Sequence, residues 1–426
     1  MSKVIHRRRR TSDLVPSETF GAGGLHATAL KLIAAESTRS IVKMKDVSGM
    51  RQRQREEILL KICSDLDASP FKLRRIQQVG GRHVAYLFKL WHDQGQSVGT
   101  LQNKRTVLKW LADLSGKHGL VEPLEKYLPE GAQTKRTLVA KEDKSWSGSG
   151  VDFEQIASSI AANYPWAETL LRLIKEFGLR RSEAVCFRPR IALTIRDGVQ
   201  VVWLRKRGWG TKGGRERFIP VLTQSQIEAI EQAKSYCENE NDAVMTRMGL
   251  SKKAAIRRFK WVVEQAGVTK KANGVTLHGL RHQYYHERIL AVDGGMESPI
   301  KLTEKLLEIN QILDEKLESE RSRLVELVHD VKRTRWAAFN PWDLDDLESL
   351  TKNRKAISEE LGHSREEITT AYAGSYATLC HLLRKWSTVI RSDLGGLTVS
   401  ELALMRFAKP SDELVESSGE EGGWDD

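Results

Sequence analysis

The feature that most limits what this chain can fold into is a change of hydrophobic period along it. From Glu56 apolar residues recur at helical spacing, first Ile58, Leu59, Ile62 and Leu66, then Val84, Leu87, Phe88 and Trp91, then Val107, Leu108, Trp110, Leu111 and Leu114. A 3.6-residue repeat gathers such positions onto one face of a helix, so three or four packed helices are expected over residues 56–130. The period then shortens: Ile191–Ile195, Val199–Leu204 and Arg217–Val221 are short β-prone runs, the first two joined by Asp197 and Gly198. That pair suits a two-residue hairpin turn. From Thr223 the helical spacing returns. The expected fold is mainly α with one small antiparallel β-sheet.

Punctuation divides the chain. Residues 1–55, with Arg7–Arg10 and with Gly21, Gly23 and Gly24, read as a basic flexible arm. Residues 131–150 lose the apolar period and end in Ser145, Ser147, Gly148, Ser149 and Gly150, a linker composition. A second domain is expected over 151–408, and the acidic, glycine-containing segment 409–426 reads as a disordered tail. Sixty-eight Lys and Arg against 56 Asp and Glu give a net charge of +12, which favours a polyanionic partner. Lys72, Arg74, Arg75, Arg82, Lys104 and Arg105 form either one DNA-facing side of the first domain or an ordinary solvated face. The four cysteines lie far apart without a CxxC pair, so neither a disulfide framework nor a zinc ribbon is expected, and a reducing, cytoplasmic setting fits. No window approaches the roughly 18 apolar residues of a membrane span.

Five elements scattered over the second domain carry chemistry. They are Gly178-Leu179-Arg180-Arg181-Ser182-Glu183, Thr211-Lys212-Gly213-Gly214-Arg215-Glu216-Arg217-Phe218-Ile219-Pro220, His278-Gly279-Leu280-Arg281-His282, Leu361-Gly362-His363, and Tyr372 nine residues after that histidine. Each has a plainer reading: Arg180 as a helix cap, Glu183 as its surface partner, Lys212 as a solvated turn residue, the histidines as helix-end polar groups, Tyr372 as a core aromatic. Together, in this order and spacing, they resemble the boxes of the tyrosine recombinase (phage integrase) family over about residues 151–390. The resemblance implies a C-shaped, two-domain clamp in which a helical core-binding domain and a catalytic domain hold double-stranded DNA. It implies a site-specific recombinase or integrase, serving a mobile genetic element and working as a homo-oligomer, a tetramer on paired sites, with no cofactor and no metal.

The residue types fit phosphoryl transfer on physical grounds. An oxygen nucleophile attacking a phosphodiester builds negative charge that fixed guanidinium groups, Arg180 and Arg281, can stabilise through paired hydrogen bonds. A tyrosine hydroxyl, with a pKa of about 10, must lose or share its proton during attack. The departing 5′ oxygen needs a proton, and Lys212 on a hairpin tip suits that general acid. The resemblance further implies a 3′-phosphotyrosine link through Tyr372. It also implies proton transfer or phosphate binding by His278, a hydrogen bond from His363 to the phosphate, and support of the first arginine by Glu183. Other readings share these features: a catalytically silent DNA-binding protein of the same fold, a type IB topoisomerase-like enzyme, or a telomere resolvase.

Three departures from the family pattern stand out. Arg181 replaces an apolar or small residue, and Tyr376 stands one helical turn beyond Tyr372 as a reserve nucleophile. The third is length: 81 residues separate Arg281 from His363, far more than the family uses, which marks an insertion at roughly 294–350. Its stripe of Leu302, Leu306, Ile309, Leu313, Leu317, Leu324, Val328 and Val331 predicts one long amphipathic helix from Lys301 to about Arg333. At 1.5 Å per residue that helix would run about 50 Å and seek another helix, in its own domain or in a second protomer. A helix around Leu379–Val389 leads to Leu402–Phe407, which in this family docks on a neighbour.

Overall fold

The apolar stripes of the first domain become helices α1 (Leu25–Glu36), α2 (Gly49–Asp67), α3 (Gly81–Asp93) and α4 (Val98–Leu114) in the computed structural model. The structure describes residues 24–38, 47, 49–136, 139–206, 208–292, 299–334, 336, 339–363 and 369–405. Contacts divide the chain into two units, Met1–Thr137 and Leu138–Asp426. In the first, Leu59, Ile62 and Leu66 of α2 bury against Leu87, Phe88 and Trp91 of α3 and Val107, Leu108 and Leu111 of α4. Ser97 caps α4 by accepting from the Thr100 amide at 3.3 Å.

Two expectations need correction here. Inside the segment 1–55 expected as a flexible arm, Leu25–Glu36 is a helix whose Ala29, Leu32 and Ile33 enter the same core. Gly24 stands just ahead of it, at the helix's N-terminal cap. Residues 1–23 lie outside the described residues, as does the tail 409–426. Lys104 is buried rather than part of a solvated face, its ammonium 3.9 Å from the centre of the Trp91 ring. Burial pushes its pKa down to about 8. Lys72, Arg74, Arg75 and Arg82 are exposed.

The second unit starts earlier than expected. Trp146, inside the stretch read as linker, is fully buried and donates from Nε1 to the Thr276 carbonyl at 2.9 Å. A serine- and glycine-rich composition conceals this anchor, because one indole outweighs many small residues in buried area. Helices α5 (Phe153–Ala161) and α6 (Pro165–Phe177) follow, α6 opening with a proline and closing at Gly178. Then come α7 (Arg181–Val185), α8 (Pro189–Ala192), and strands β1 (Leu193–Arg196), β2 (Val199–Leu204) and β3 (Arg217–Pro220). The sheet is antiparallel in the order β1-β2-β3, with Arg196 opposite Val199 and Leu204 opposite Arg217. Asp197 and Gly198 both take positive φ, 50° and 77°, as a two-residue hairpin turn demands.

Helices α9 (Gln224–Ser235), α10 (Lys252–Gln265) and α11 (Leu277–Val292) complete the part before the insertion. The insertion is not one long helix. It breaks into α12 (Pro299–Asp314) and α13 (Arg321–Lys332) at Lys316, whose φ of 52° no α-helix accommodates. Folding back lets Leu302, Leu306, Ile309, Leu313, Leu324, Val328 and Val331 all enter the unit's own core. They pack with α16 (Tyr376–Arg391). The last helix among the described residues, α17 (Val399–Leu404), also lies on α12, its Val399 and Ser400 amides donating to Glu318 at 2.9 and 2.8 Å, so these residues pack within their own chain. Helix α14 (Leu344–Glu360) and the short α15 (Thr370–Ala373) flank His363. No helix among the described residues is long and apolar enough to cross a membrane.

Because the stripe is core, Leu306→Ala should cost about 2–5 kcal/mol of stability, read from the urea midpoint of the whole chain. Replacing residues 298–340 by a Gly/Ser linker should prevent folding of the second unit. A folded, cooperatively unfolding deletion variant would contradict this placement.

Candidate active site

Tyr372 is where the scattered boxes meet. Arg281, on the inward face of α11, is 1% exposed and donates from Nε to the Tyr372 hydroxyl at 3.1 Å. Its Nη1 and Nη2 donate to the carbonyls of Gly178 and Leu361. His363 Nε2 lies 3.3 Å from Arg281 Nη2 and 3.2 Å from the Tyr372 hydroxyl. An arginine has only donors, so this Nε2 must offer its lone pair, which leaves the His363 proton on Nδ1 and lets Tyr372 donate to Nε2. The hydroxyl thus receives a hydrogen bond on its oxygen and gives one from its proton.

Electrostatics agree with a neutral His363. Its pKa is held down to about 3 by burial first, then by Arg281, Arg180, Arg217 and Lys212. His282 packs its ring 4.7 Å from that of Tyr372 and is likewise held down to about 3, by burial and then by His278 and His286. Its buried Nδ1 makes no hydrogen bond within the described structure. His278 opens one side to solvent, its ring 6.1 Å from Tyr372, yet surrounding protein and then Arg281 and Arg180 lower it to about 4. Burial also lowers Arg281, to about 10, which leaves it charged at neutral pH.

The first box sits beside this group. Arg180 precedes α7, and Glu183 closes back on it, accepting from the Arg180 amide at 2.7 Å and from Nη1 at 2.9 Å. Arg180 Nη2 donates at 3.1 Å to the same Leu361 carbonyl that Arg281 uses. Glu183 is fully buried and also receives both Arg217 guanidinium arms, at 2.8 and 2.7 Å. Burial alone would raise its pKa, but Arg217 and Arg180 overcome that and hold the carboxyl below its ordinary range. Lys212 lies on an exposed 3-10 turn, Lys212–Gly214, between β2 and β3. Arg181 is exposed at the head of α7.

Tyr376 is directed elsewhere: its hydroxyl lies 3.0 Å from that of Tyr285. Tyr285 itself stacks on Tyr372 at 5.4 Å. Sequence reasoning gave no role to Arg217 or Tyr285. Arg217 carried a usable signal, since alternation along β3 puts it on the same inward face as Ile219, an unusual place for a charge.

The model of the phage integrase N-terminal domain matches residues 33–121, and that of the integrase domain matches residues 142–287. Together they span more than half of the chain, and it belongs to the tyrosine recombinase (phage integrase) family. The second match ends ahead of the insertion, so His363 and Tyr372 lie beyond it. Among solved structures, a lambda integrase dimer bound to a COC′ core site shares 14% identity at a TM-score of 0.43, covering 65% of this chain and 73% of that one. The Tn1549 transposon integrase in complex with transposon right end DNA shares 16% at 0.44, covering 82% and 96%. XerH recombinase bound to difH shares 15% at 0.38, covering 62% and 74%. No curated protein matches the chain by sequence.

The depressed histidines carry a pH signature. His282 and His363 stay neutral in the fold down to about pH 3, whereas in the unfolded chain they titrate at about 6.5. Between these values the unfolded chain binds more protons, so stability is whole above pH ~6.5 and falls as pH drops towards 3. His282→Phe should therefore lose less stability than the parent between pH 6.5 and 4, measured as urea midpoints. Parallel pH dependences would show that His282 is not held neutral.

Proposed function

We propose that this chain is a site-specific DNA recombinase that breaks and rejoins double-stranded DNA through a 3′-phosphotyrosine at Tyr372. The observation that carries the proposal is the Tyr372 hydroxyl shared between Arg281 and His363. Arg180, whose side chain is partly open, takes the scissile phosphate, and Arg281, held against Tyr372 behind it, adds its charge to stabilise the negative charge that builds during attack. Tyr372 Oη bonds to phosphorus while its proton passes to His363 Nε2. The phosphorus–O5′ bond breaks, and Lys212 Nζ gives the departing oxygen its proton. His278 holds the phosphate from the exposed side, and Glu183 keeps Arg180 in place. Reversal, with a new 5′ hydroxyl as nucleophile, rejoins the strand without an external energy source.

A phosphodiester anion seated among Arg180, Arg281 and Lys212 offsets the cations that depress His363. Substrate binding thereby raises the basicity of His363 at the moment its lone pair is needed. The basic balance of the chain, +12, supplies affinity through phosphate contacts. In this reading the chain serves a mobile genetic element and assembles as a homo-oligomer on paired sites.

Tyr372→Phe should bind nicked duplexes drawn from DNA flanking the gene but form no covalent adduct on a denaturing gel. An adduct that persists in Tyr372→Phe and vanishes in Tyr376→Phe would overturn the assignment. The general acid has a separate test. Lys212→Ala should slow cleavage of ordinary DNA by roughly a hundredfold or more, within the range of a lost general acid. A substrate with a 5′-bridging sulfur should restore it, because a thiolate leaves without a proton. An equal defect on both substrates would reduce Lys212 to DNA positioning.

A further inference from the structure

Helix α14 carries a side chain that the mechanism above does not use. Arg354, half-buried, donates from Nε and Nη2 to Thr369 Oγ1 at 3.2 and 3.1 Å. Its guanidinium also lies 3.9 Å from the centre of the Tyr376 ring. Thr369 is fully buried and immediately precedes α15, and Tyr376 opens α16, so one guanidinium grips both sides of the four-residue helix that carries Tyr372. So short a helix cannot fix itself, because nucleation of a single turn is unfavourable. Further ties come from the Ala140 amide, which donates to the Thr370 carbonyl at 2.8 Å, and from Tyr285 stacked on Tyr372.

The other end of α14 is anchored to the helix of Arg281. Glu360 accepts both arms of Arg288, at 3.0 and 2.8 Å, and the Tyr284 hydroxyl at 2.8 Å. One residue on, the Leu361 carbonyl receives Arg180 and Arg281. Helix α14 therefore sets the separation between the guanidinium pair and the nucleophile. Resting on the recombinase reading above, we propose that Arg354 is a positioning residue for the nucleophile. It acts through Thr369 and Tyr376 to hold the Tyr372 hydroxyl against Arg281 and His363.

The test is covalent trapping by the full chain on nicked duplexes from DNA flanking the gene, at saturating DNA and across pH 7–9. In the parent the Tyr372 proton has an acceptor in place, so the rate should change little over that range. In Arg354→Met DNA affinity should hold within about twofold, while the rate at pH 7 falls about tenfold to a hundredfold, as expected for a misplaced reacting group. The hydroxyl then attacks only as free phenolate, so the rate should climb steeply with pH, by up to about tenfold per unit. A mere loss of folded enzyme would lower the whole profile without changing its slope. Arg354→Lys keeps a cation over Tyr376 and a donor for Thr369, and should recover most of the rate. Thr369→Val keeps the shape, removes the acceptor, and should steepen the profile in the same way, which decides the matter if Arg354→Met does not fold. Parent-like profiles in the folded variants, with the Tyr372 adduct present in the parent, overturn the role of Arg354. Absence of any Tyr372 adduct in the parent overturns the recombinase reading instead.

Discussion

A buried guanidinium organises the second unit. Removing such an ion from water costs several kcal/mol unless nearly every donor finds an acceptor. Arg281 is 1% exposed and spends its donors on the Gly178 and Leu361 carbonyls, the Tyr372 hydroxyl and His363 Nε2. Those four partners come from the end of α6, the end of α14, α15, and the turn between the last two. Each lies 80 residues or more from Arg281 in sequence, so satisfying one side chain assembles the site. The same requirement explains why the carbonyl of Leu361 is shared with Arg180: the two guanidinium groups converge because they use one acceptor.

Convergent cations repel, and Glu183 answers that repulsion. Fully buried between Arg180 and Arg217, it places one negative charge where two positive ones would otherwise face each other. Arg217 is needed because a carboxylate with only Arg180 as partner would have lone pairs facing protein interior. Arg180 keeps part of its guanidinium accessible, 20% of the side chain, while Arg217 is sealed in. The ion group therefore holds a cation in a fixed, partly open place before any substrate arrives, which is the preorganisation that a charged transition state rewards.

Much of this was legible from residue types and order. The period change located the sheet, and Asp197-Gly198 located its turn, because hairpin turns have few solutions. The boxes named Arg180, Glu183, Lys212, His278, Arg281, His363 and Tyr372; the fold joins Arg180, Glu183, Arg281, His363 and Tyr372 by hydrogen bonds, sets the His278 ring 6.1 Å from that of Tyr372, and leaves Lys212 on an exposed turn. What was hidden has physical reasons. Trp146 is one indole in a polar stretch, and a composition window averages it away. The break at Lys316 in the insertion has no proline or glycine to announce it, so a stripe spanning two folded-back helices reads as one. Arg354 and the Leu361 carbonyl were invisible for a different reason: backbone acceptors carry no residue signature, and a helix-surface arginine declares its partner only when the chain returns.

The choice between Tyr372 and Tyr376 shows where spacing stops deciding. Four residues apart, they would present hydroxyls on the same face if one helix carried both. One helix does not. Gly374, at φ 79°, ends α15, and Ser375 starts α16 by accepting from the Thr378 amide at 3.1 Å. A side chain at Gly374 would meet strain from that φ and close contact with Ile300 of α12. The glycine thus turns two neighbouring tyrosines into residues of two different helices. Tyr372 is left facing a guanidinium that donates to its hydroxyl and a neutral imidazole that can accept from it. Tyr376 faces the Tyr285 hydroxyl instead, and its ring lies under the Arg354 guanidinium.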